Sequence, residues 1–157
     1  MNFDFGLKDL ATELKKIFLA RHSCAAKKGK AALIIIMLKF IYCVRKRPEL
    51  SPEAFRKYWL ENHGPLVRKY ATALKAKRYV QSHTLDTPLN AAAQQPRGTK
   101  APYDGLTEIW WDKAEDLIAA LSTPEGQEIN RILAEDEARF CDLPNCSVFF
   151  SEEHTIF

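Results

Sequence analysis

The sequence predicts an α+β fold, and three observations carry that reading. Runs at 38–44 and about 77–84 alternate apolar and polar residues with the period of two that a half-buried strand requires. The run 104–111 reads as a third strand, and 147–152 as a last one giving apolar residues to both faces. Between them, two segments repeat apolar residues at offsets of three and four, the period of an amphipathic helix. The order strand, helix, strand, strand, helix, strand is that of a ferredoxin-like βαββαβ sandwich, an antiparallel four-stranded sheet with both helices on one face.

Residues 1–36 read as an N-terminal extension. Leu7, Leu10, Ala11, Leu14, Ile17 and Phe18 form a helical stripe, and a basic, small-residue linker follows at 21–30. The apolar run 31–44 is interrupted by Lys39 and is shorter than the about 20 apolar residues that span a bilayer, so no membrane partner is expected. Asp4, Asp9 and Glu13 precede the apolar positions, which is not the charge order of a secretory signal. The compact domain is expected over 37–157.

Within it, Leu38, Phe40, Tyr42 and Val44 alternate against Lys39, Ile41, Cys43 and Arg45 as the first strand. The next helix carries its start signals in its residues: Ser51 accepts from first-turn amides, Pro52 needs no donor, and Glu53 suits the positive helix end. Phe55, Tyr58, Trp59 and Asn62 follow on one face, with His63 near the same stripe, and Gly64 and Pro65 interrupt or bend the helix before it continues through Leu66, Tyr70 and Leu74. In the second strand Tyr79, Gln81 and His83 share a face. The stretch 86–102, rich in Pro, Ala, Gln and Gly, reads as a long loop. Asp112-x-x-Glu115 forms a capping-box pattern ahead of Leu117, Ile118 and Leu121, and Thr123–Pro124 restarts a helix carrying Ile129, Ile132 and Leu133.

Composition narrows the classes of function. With 157 residues, 46% of them hydrophobic, the chain suits one domain with a proper core. A net charge of +3, with its lysines gathered at Lys27, Lys28 and Lys30, offers no broad basic stripe, so no nucleic-acid partner is expected. Four cysteines, at 24, 43, 141 and 146, make no CxxC pair and fit free thiols in a reducing, cytoplasmic setting; no metal site is expected.

Four segments, FRKYWLENHGPLV at 55–67, RYVQSH at 78–83, PYDGLTEIWW at 102–111 and ARFCD at 138–142, resemble in order and spacing the EthD-like family of the dimeric α+β barrel superfamily. The resemblance covers about 37–157 and implies that fold, a dimer, and a small apolar pocket between the helices and the sheet. It implies His63, His83, Asp104 with Gly105, and Asp142 as matched positions. The family's namesake belongs to a bacterial oxidative system that degrades an ether. Relatives in fungal polyketide pathways look like cofactor-free decarboxylases or dehydratases, and a related lactone isomerase shares the fold.

A site without a cofactor needs a group that exchanges protons near neutral pH, and histidine, with an ordinary pKa of about 6.5, is that group. His63 is the expected catalytic residue; its other reading is a cap for final helix carbonyls. Asp104, at a strand mouth beside Gly105, is the expected carboxylate partner, with Glu108 second; Asp104 reads equally as a turn residue bonding its own backbone. His83 is a further candidate if it faces the cavity. Tyr58, Trp59, Trp110 and Phe140, with Trp111, read as an aromatic wall for a flat apolar substrate or as plain core packing. No phosphate-cradling loop and no Ser-His-acid arrangement is present.

The expected function is a cofactor-free isomerase, decarboxylase or dehydratase acting on a small apolar, enolisable or lactone-like metabolite. Two alternatives stand beside it: a component of an oxidative system or cofactor-free monooxygenase, and a non-catalytic binder of a hydrophobic molecule. Apolar side chains in both strand parities leave one sheet face to be covered, and a C2 partner is the expected cover. Sedimentation at micromolar concentration is expected to show a homodimer; a monomer there contradicts it.

Overall fold

The computed structural model describes residues 37–157 and Lys16, so the stripe and linker expected within 1–36 lie outside the described residues. Strands β1 (Leu38–Val44), β2 (Arg78–His83), β3 (Gly105–Trp111) and β4 (Ser147–Ser151) form one antiparallel sheet in the order β2-β3-β1-β4. That is the ferredoxin-like arrangement. The register pairs Tyr42 with Thr107, Phe40 with Ile109 and Phe150, and Tyr79 with Ile109. Because side chains alternate, Phe40, Tyr42, Val44, Tyr79, Thr107, Ile109 and Trp111 all face the helices.

Helix α1 (Pro52–Tyr58) begins where expected, with the Ser51 hydroxyl accepting from the Ala54 N–H at 3.1 Å. It does not end at Gly64–Pro65. A π-turn (Trp59–His63) leads directly into α2 (Gly64–Tyr70). Proline lacks an N–H, and its ring crowds the carbonyl four residues back, so a strict α-helix through Pro65 would be strained. The widened turn relieves this. Trp59's carbonyl accepts from the Gly64 N–H and from Gln81 Nε2 at 3.0 Å.

Two expectations are corrected. The stretch 86–102 is not all loop: Thr87 caps the helix α3 (Pro88–Gln94), accepting from the Leu89 N–H at 3.4 Å, and a 3₁₀ turn (Gln95–Arg97) follows. Proline at the first turn and three consecutive alanines favour helix strongly enough to outweigh the polar composition. Nor does the capping box at 112–115 form. Helix α4 (Ala114–Leu121) starts from Lys113 with no side-chain cap, while Asp112 pairs with Lys77 at 2.9 Å. Helix α5 (Pro124–Glu137) is capped by the Thr123 hydroxyl, which accepts from the Gly126 N–H at 2.9 Å.

Two apolar clusters fix the helices to the sheet. Tyr42, Val44, Phe55, Trp59, Phe140 and Cys141 form one; Leu74, Trp111, Leu117, Leu121 and Ile129 form the other. Each such side chain contributes about 1.5–3 kcal/mol on burial. The indole N–H of Trp111 donates to the Leu74 carbonyl at 2.8 Å, tying the end of β3 to the chain beyond α2.

The far sheet face is only partly covered by this chain. Lys39 sits between Glu108 (2.5 Å) and Glu153 (2.8 Å), and Trp110 donates to Glu153 at 2.9 Å beneath the Arg78 guanidinium. Phe149 stays 48% exposed there.

Gly105, at the start of β3, lies against the Trp59 indole. A Cβ at this position would clash with Trp59 Cζ3 and stand 2.8 Å from Cη2 and 2.9 Å from the Ser82 carbonyl. Gly105→Ala is expected to destabilise the fold by about 1–3 kcal/mol, as overpacking does. Gly64→Ala, whose nearest neighbour is the flexible Gln81 amide at 3.4 Å, is expected to cost less. Urea denaturation of both variants checks the ranking.

Candidate functional site

His63 closes the π-turn on its inner side and is 4% exposed. Its Nδ1 lies 2.8 Å from Asp136 Oδ2, and the Tyr58 hydroxyl donates to Asp136 Oδ1 at 2.7 Å. A carboxylate only accepts, so Nδ1 carries the proton and Nε2 keeps a lone pair. Burial lowers the His63 pKa below its ordinary 6.5; Asp136 opposes that shift without cancelling it. The ring is therefore neutral at pH 7. The Phe140 ring packs 5.2 Å from it.

The imidazole lines a cavity of about 50 Å³ between the sheet and helices α2 and α5. That is room for a few water molecules. Its walls are mostly apolar, with Tyr42, Tyr79, Thr107 and Glu137 as the other polar contributors. Burial, first, and then Cys146 and Asp136 push the Glu137 carboxyl up to about 8. At neutral pH it is an acid holding its proton. Tyr79's hydroxyl oxygen accepts from Gln81 Nε2 at 2.9 Å and from the Trp59 indole N–H at 3.3 Å, and burial raises its pKa.

The structure brings together some of the expected residues and separates others. His63, Trp59 and Phe140 line the cavity. Tyr58 holds Asp136 instead of lining it. The carboxylate at His63 is Asp136 and not Asp104. Asp104 does not bond its own turn either: its carboxylate accepts from the Lys46 N–H at 3.1 Å and its own N–H donates to the Val44 carbonyl, which ties the start of β3 to the chain at the end of β1. Glu108 and Trp110 have the opposite parity to Thr107 and Trp111, so both lie on the far sheet face with Lys39. They are not cavity residues. His83 stacks on Trp59 with centroids 4.7 Å apart and planes 6° from parallel, and bonds Gln81 Oε1 at 3.1 Å. It does not line the cavity. Asp142 accepts from Asn145 Nδ2 at 2.8 Å within its own turn.

Asp136 and Glu137 were missed by sequence reasoning, although a signal exists. Ile129 and Leu133 define the inward face of α5, and Glu137 continues that series at the same spacing of four. A carboxyl on an apolar stripe is the mark of an inward-facing acid. Among the described residues no group of three or more His, Cys, Asp or Glu could hold a metal ion. Among them, too, no helix is long and apolar enough to cross a membrane.

Residues 47–144 match the family described as the EthD domain. No curated protein matches the chain. Among solved structures, an ethyl tert-butyl ether d (ethd) family protein from Bacillus halodurans C-125 aligns with 76% of this chain and 100% of its own, at 21% identity and a TM-score of 0.53. An ethd-like protein from Ralstonia eutropha JMP134 aligns over 78% and 94%, at 14% identity and 0.49. A dimeric ferredoxin-like protein of unknown function from Thermobifida fusca YX aligns over 79% and 97%, at 13% identity and 0.49. The first of these shares the fold.

The raised Glu137 pKa is a stability statement with a definite sign. Between the carboxyl's ordinary 4.5 and about 8, the unfolded chain releases a proton that the folded chain keeps, so stability falls as pH rises across that window. Glu137→Gln is expected to unfold at a higher temperature than the parent at pH 8, the two converging near pH 4.5. Thermal unfolding at several pH values checks this; a difference independent of pH overturns it.

Proposed function

This chain belongs to the EthD domain family, and on that premise we propose that it is a cofactor-free acid-base catalyst of the isomerase, decarboxylase or dehydratase type. Its substrate is a small apolar molecule with an enolisable or lactone-like carbonyl. One observation carries the reading: a buried, neutral imidazole whose Nδ1–H is fixed on a carboxylate, at the wall of an apolar cavity.

The chemistry follows from the proton inventory. His63 Nε2 takes a proton from carbon beside a carbonyl, and the electron pair moves onto the carbonyl oxygen. Asp136 holds the ring in the required tautomer and stabilises the imidazolium that forms, while Tyr58 holds Asp136. Glu137, still protonated, donates to the oxygen that gains charge. Returning the proton to another carbon completes an isomerisation, and loss of a β-hydroxyl as water completes a dehydration. A β-keto acid instead gives its carboxyl proton to Nε2, loses carbon dioxide, and takes that proton back at carbon from the imidazolium. The apolar walls strengthen each of these interactions by keeping water away. The space at His63 suits a reacting carbonyl group.

A second copy of the chain is the proposed cover for the far sheet face. Ile41, Val80 and Leu106 share that face with Phe149, and its exposed ring supports the reading.

Decarboxylation of aromatic β-keto acids and deuterium exchange of aryl ketones in D₂O provide the test. His63→Ala is expected to lower turnover by about 100-fold or more with little change in ligand affinity. The parent is expected to lose activity in acid with a midpoint below 6.5, and in base near 8, where Glu137 ionises. Unchanged turnover in His63→Ala rejects the role of His63. Tight binding of the probes without turnover favours the binder reading.

A further inference from the structure

The chain after α5 carries two cysteines that the proposed chemistry does not use. Cys141 is buried, lines the cavity, and sits in an antiparallel bridge with Lys46. A 3₁₀ turn (Leu143–Asn145) then folds the chain back, closed by the Asn145 N–H on the Asp142 carbonyl at 2.9 Å and the Cys146 N–H on the Leu143 carbonyl at 3.2 Å. Cys146 returns to the same cluster and is half-buried. Arg45 clamps both ends of the turn: its carbonyl accepts from the Asp142 N–H at 2.8 Å, and its N–H donates to Cys146 Sγ at 3.2 Å. Cys146 thus packs against the cluster that holds Cys141 and Tyr42.

These contacts give the sulfurs unequal roles. The neighbouring Cys141 thiol, first, and the Arg45 N–H hold the Cys146 pKa below its ordinary value, against the push of burial and of Asp142. Cys141 is held protonated by its neighbour Cys146, by burial and by Glu137. In its thiol form Cys146 points its proton at the Asp142 carbonyl, 3.3 Å away. A partly exposed thiolate beside a buried thiol that still has its proton is an attacking and resolving pair.

We propose that Cys141 and Cys146 form a reversible disulfide when the chain meets a hydroperoxide, with Cys146 reacting first and Cys141 resolving. The Cys146 thiolate attacks the peroxide; an S–O bond forms, the O–O bond breaks, and the departing oxygen takes a proton to leave as alcohol or water. Cys141 then attacks the sulfenic sulfur, the S–S bond forms, and water leaves with the thiol proton. Two thiols lose two electrons and the hydroperoxide gains them. The new bond removes the Cys146 charge that faces Glu137 and Tyr42, and it ties the cavity wall at Cys141 to the start of β4.

The test uses the full chain carrying Cys24→Ser and Cys43→Ser, treated with one equivalent of hydrogen peroxide, then iodoacetamide, then trypsin. No Lys or Arg follows Arg139, so both cysteines lie in the single peptide 140–157. That peptide is expected to lose two hydrogens, to refuse alkylation at both sulfurs, and to regain it with dithiothreitol. The reaction is expected to be faster in the folded chain than in urea. Cys141→Ser is expected to leave a sulfenic acid at Cys146 that dimedone traps. Alkylation of both cysteines after peroxide, oxidation of Cys146 to the sulfinic acid without cross-linking, or an equal rate in urea would each overturn the proposal. The first two readouts require no substitution at either cysteine, so a variant that fails to fold does not blunt them.

Discussion

One geometric constraint organises this molecule: Phe55, Trp59, His63 and Val67 are spaced by four, and all four are buried. In a straight α-helix such a series drifts about 40° per step, or about 120° across three. The last members would then leave the core. The π-turn at 59–63 takes up an extra residue, about 100° of turn, and so cancels most of that drift, and the stripe keeps facing the sheet. Pro65 makes the widened turn favourable where a regular helix would clash, and Gln81 from β2 gives the Trp59 carbonyl a second donor beside the Gly64 N–H. The same turn therefore completes the core and delivers the imidazole. A regular helix here would have lost one or the other.

Once His63 is inside, its surroundings settle its chemistry. A buried imidazole needs a partner for its N–H, and α5 supplies Asp136 at its last turn. Asp136 is followed immediately by Glu137, and the two carboxyls meet opposite conditions. Asp136 accepts from both Tyr58 and His63, whereas no side-chain hydrogen bond ties Glu137 among the described residues. The first is held by two donors; the second, in an apolar wall beside Asp136, is stabilised as an acid. Adjacent residues on one helix thus furnish an anchor and a proton donor because helical geometry turns one toward α1 and the other toward the sheet.

What the sequence revealed and what it concealed divide along the same physical line. Strand parity, the Ser51 cap and the Thr123–Pro124 restart are local, and each stands in the structure within a residue or so of its expected place. His63 was found because it terminates an aromatic stripe. The partner carboxylate was not, because Asp136 is 73 residues away and its pairing depends on how α5 crosses α1 and α2. Asp104 stands at a strand mouth, but its carboxylate is occupied there by the Lys46 N–H of the neighbouring chain segment, a pairing 58 residues apart that local pattern does not show. Glu108 and Trp110 failed on parity alone: one residue along β3 separates a cavity wall from the far face. Helix α3 was hidden by composition, since prolines and glutamines masked a run of alanines.

The far face also shows why an apolar residue in both parities does not by itself count the area left for a partner. Trp110 is 5% exposed in the single chain, because Lys39 and Arg78 lie over its ring and the segment beyond β4 returns to bond its indole N–H through Glu153. Trp110 is thus covered from within, and the face offered to a second copy is narrower than the sequence suggests. The opposite holds inside. Glu137 sits in an apolar wall without a bonded partner, an arrangement that costs stability at neutral pH and that a neutral residue of the same shape would relieve. A local conflict of that kind, in a domain whose caps, turns and core otherwise agree, is where physical chemistry directs the search for function. It lies in the same cavity as His63.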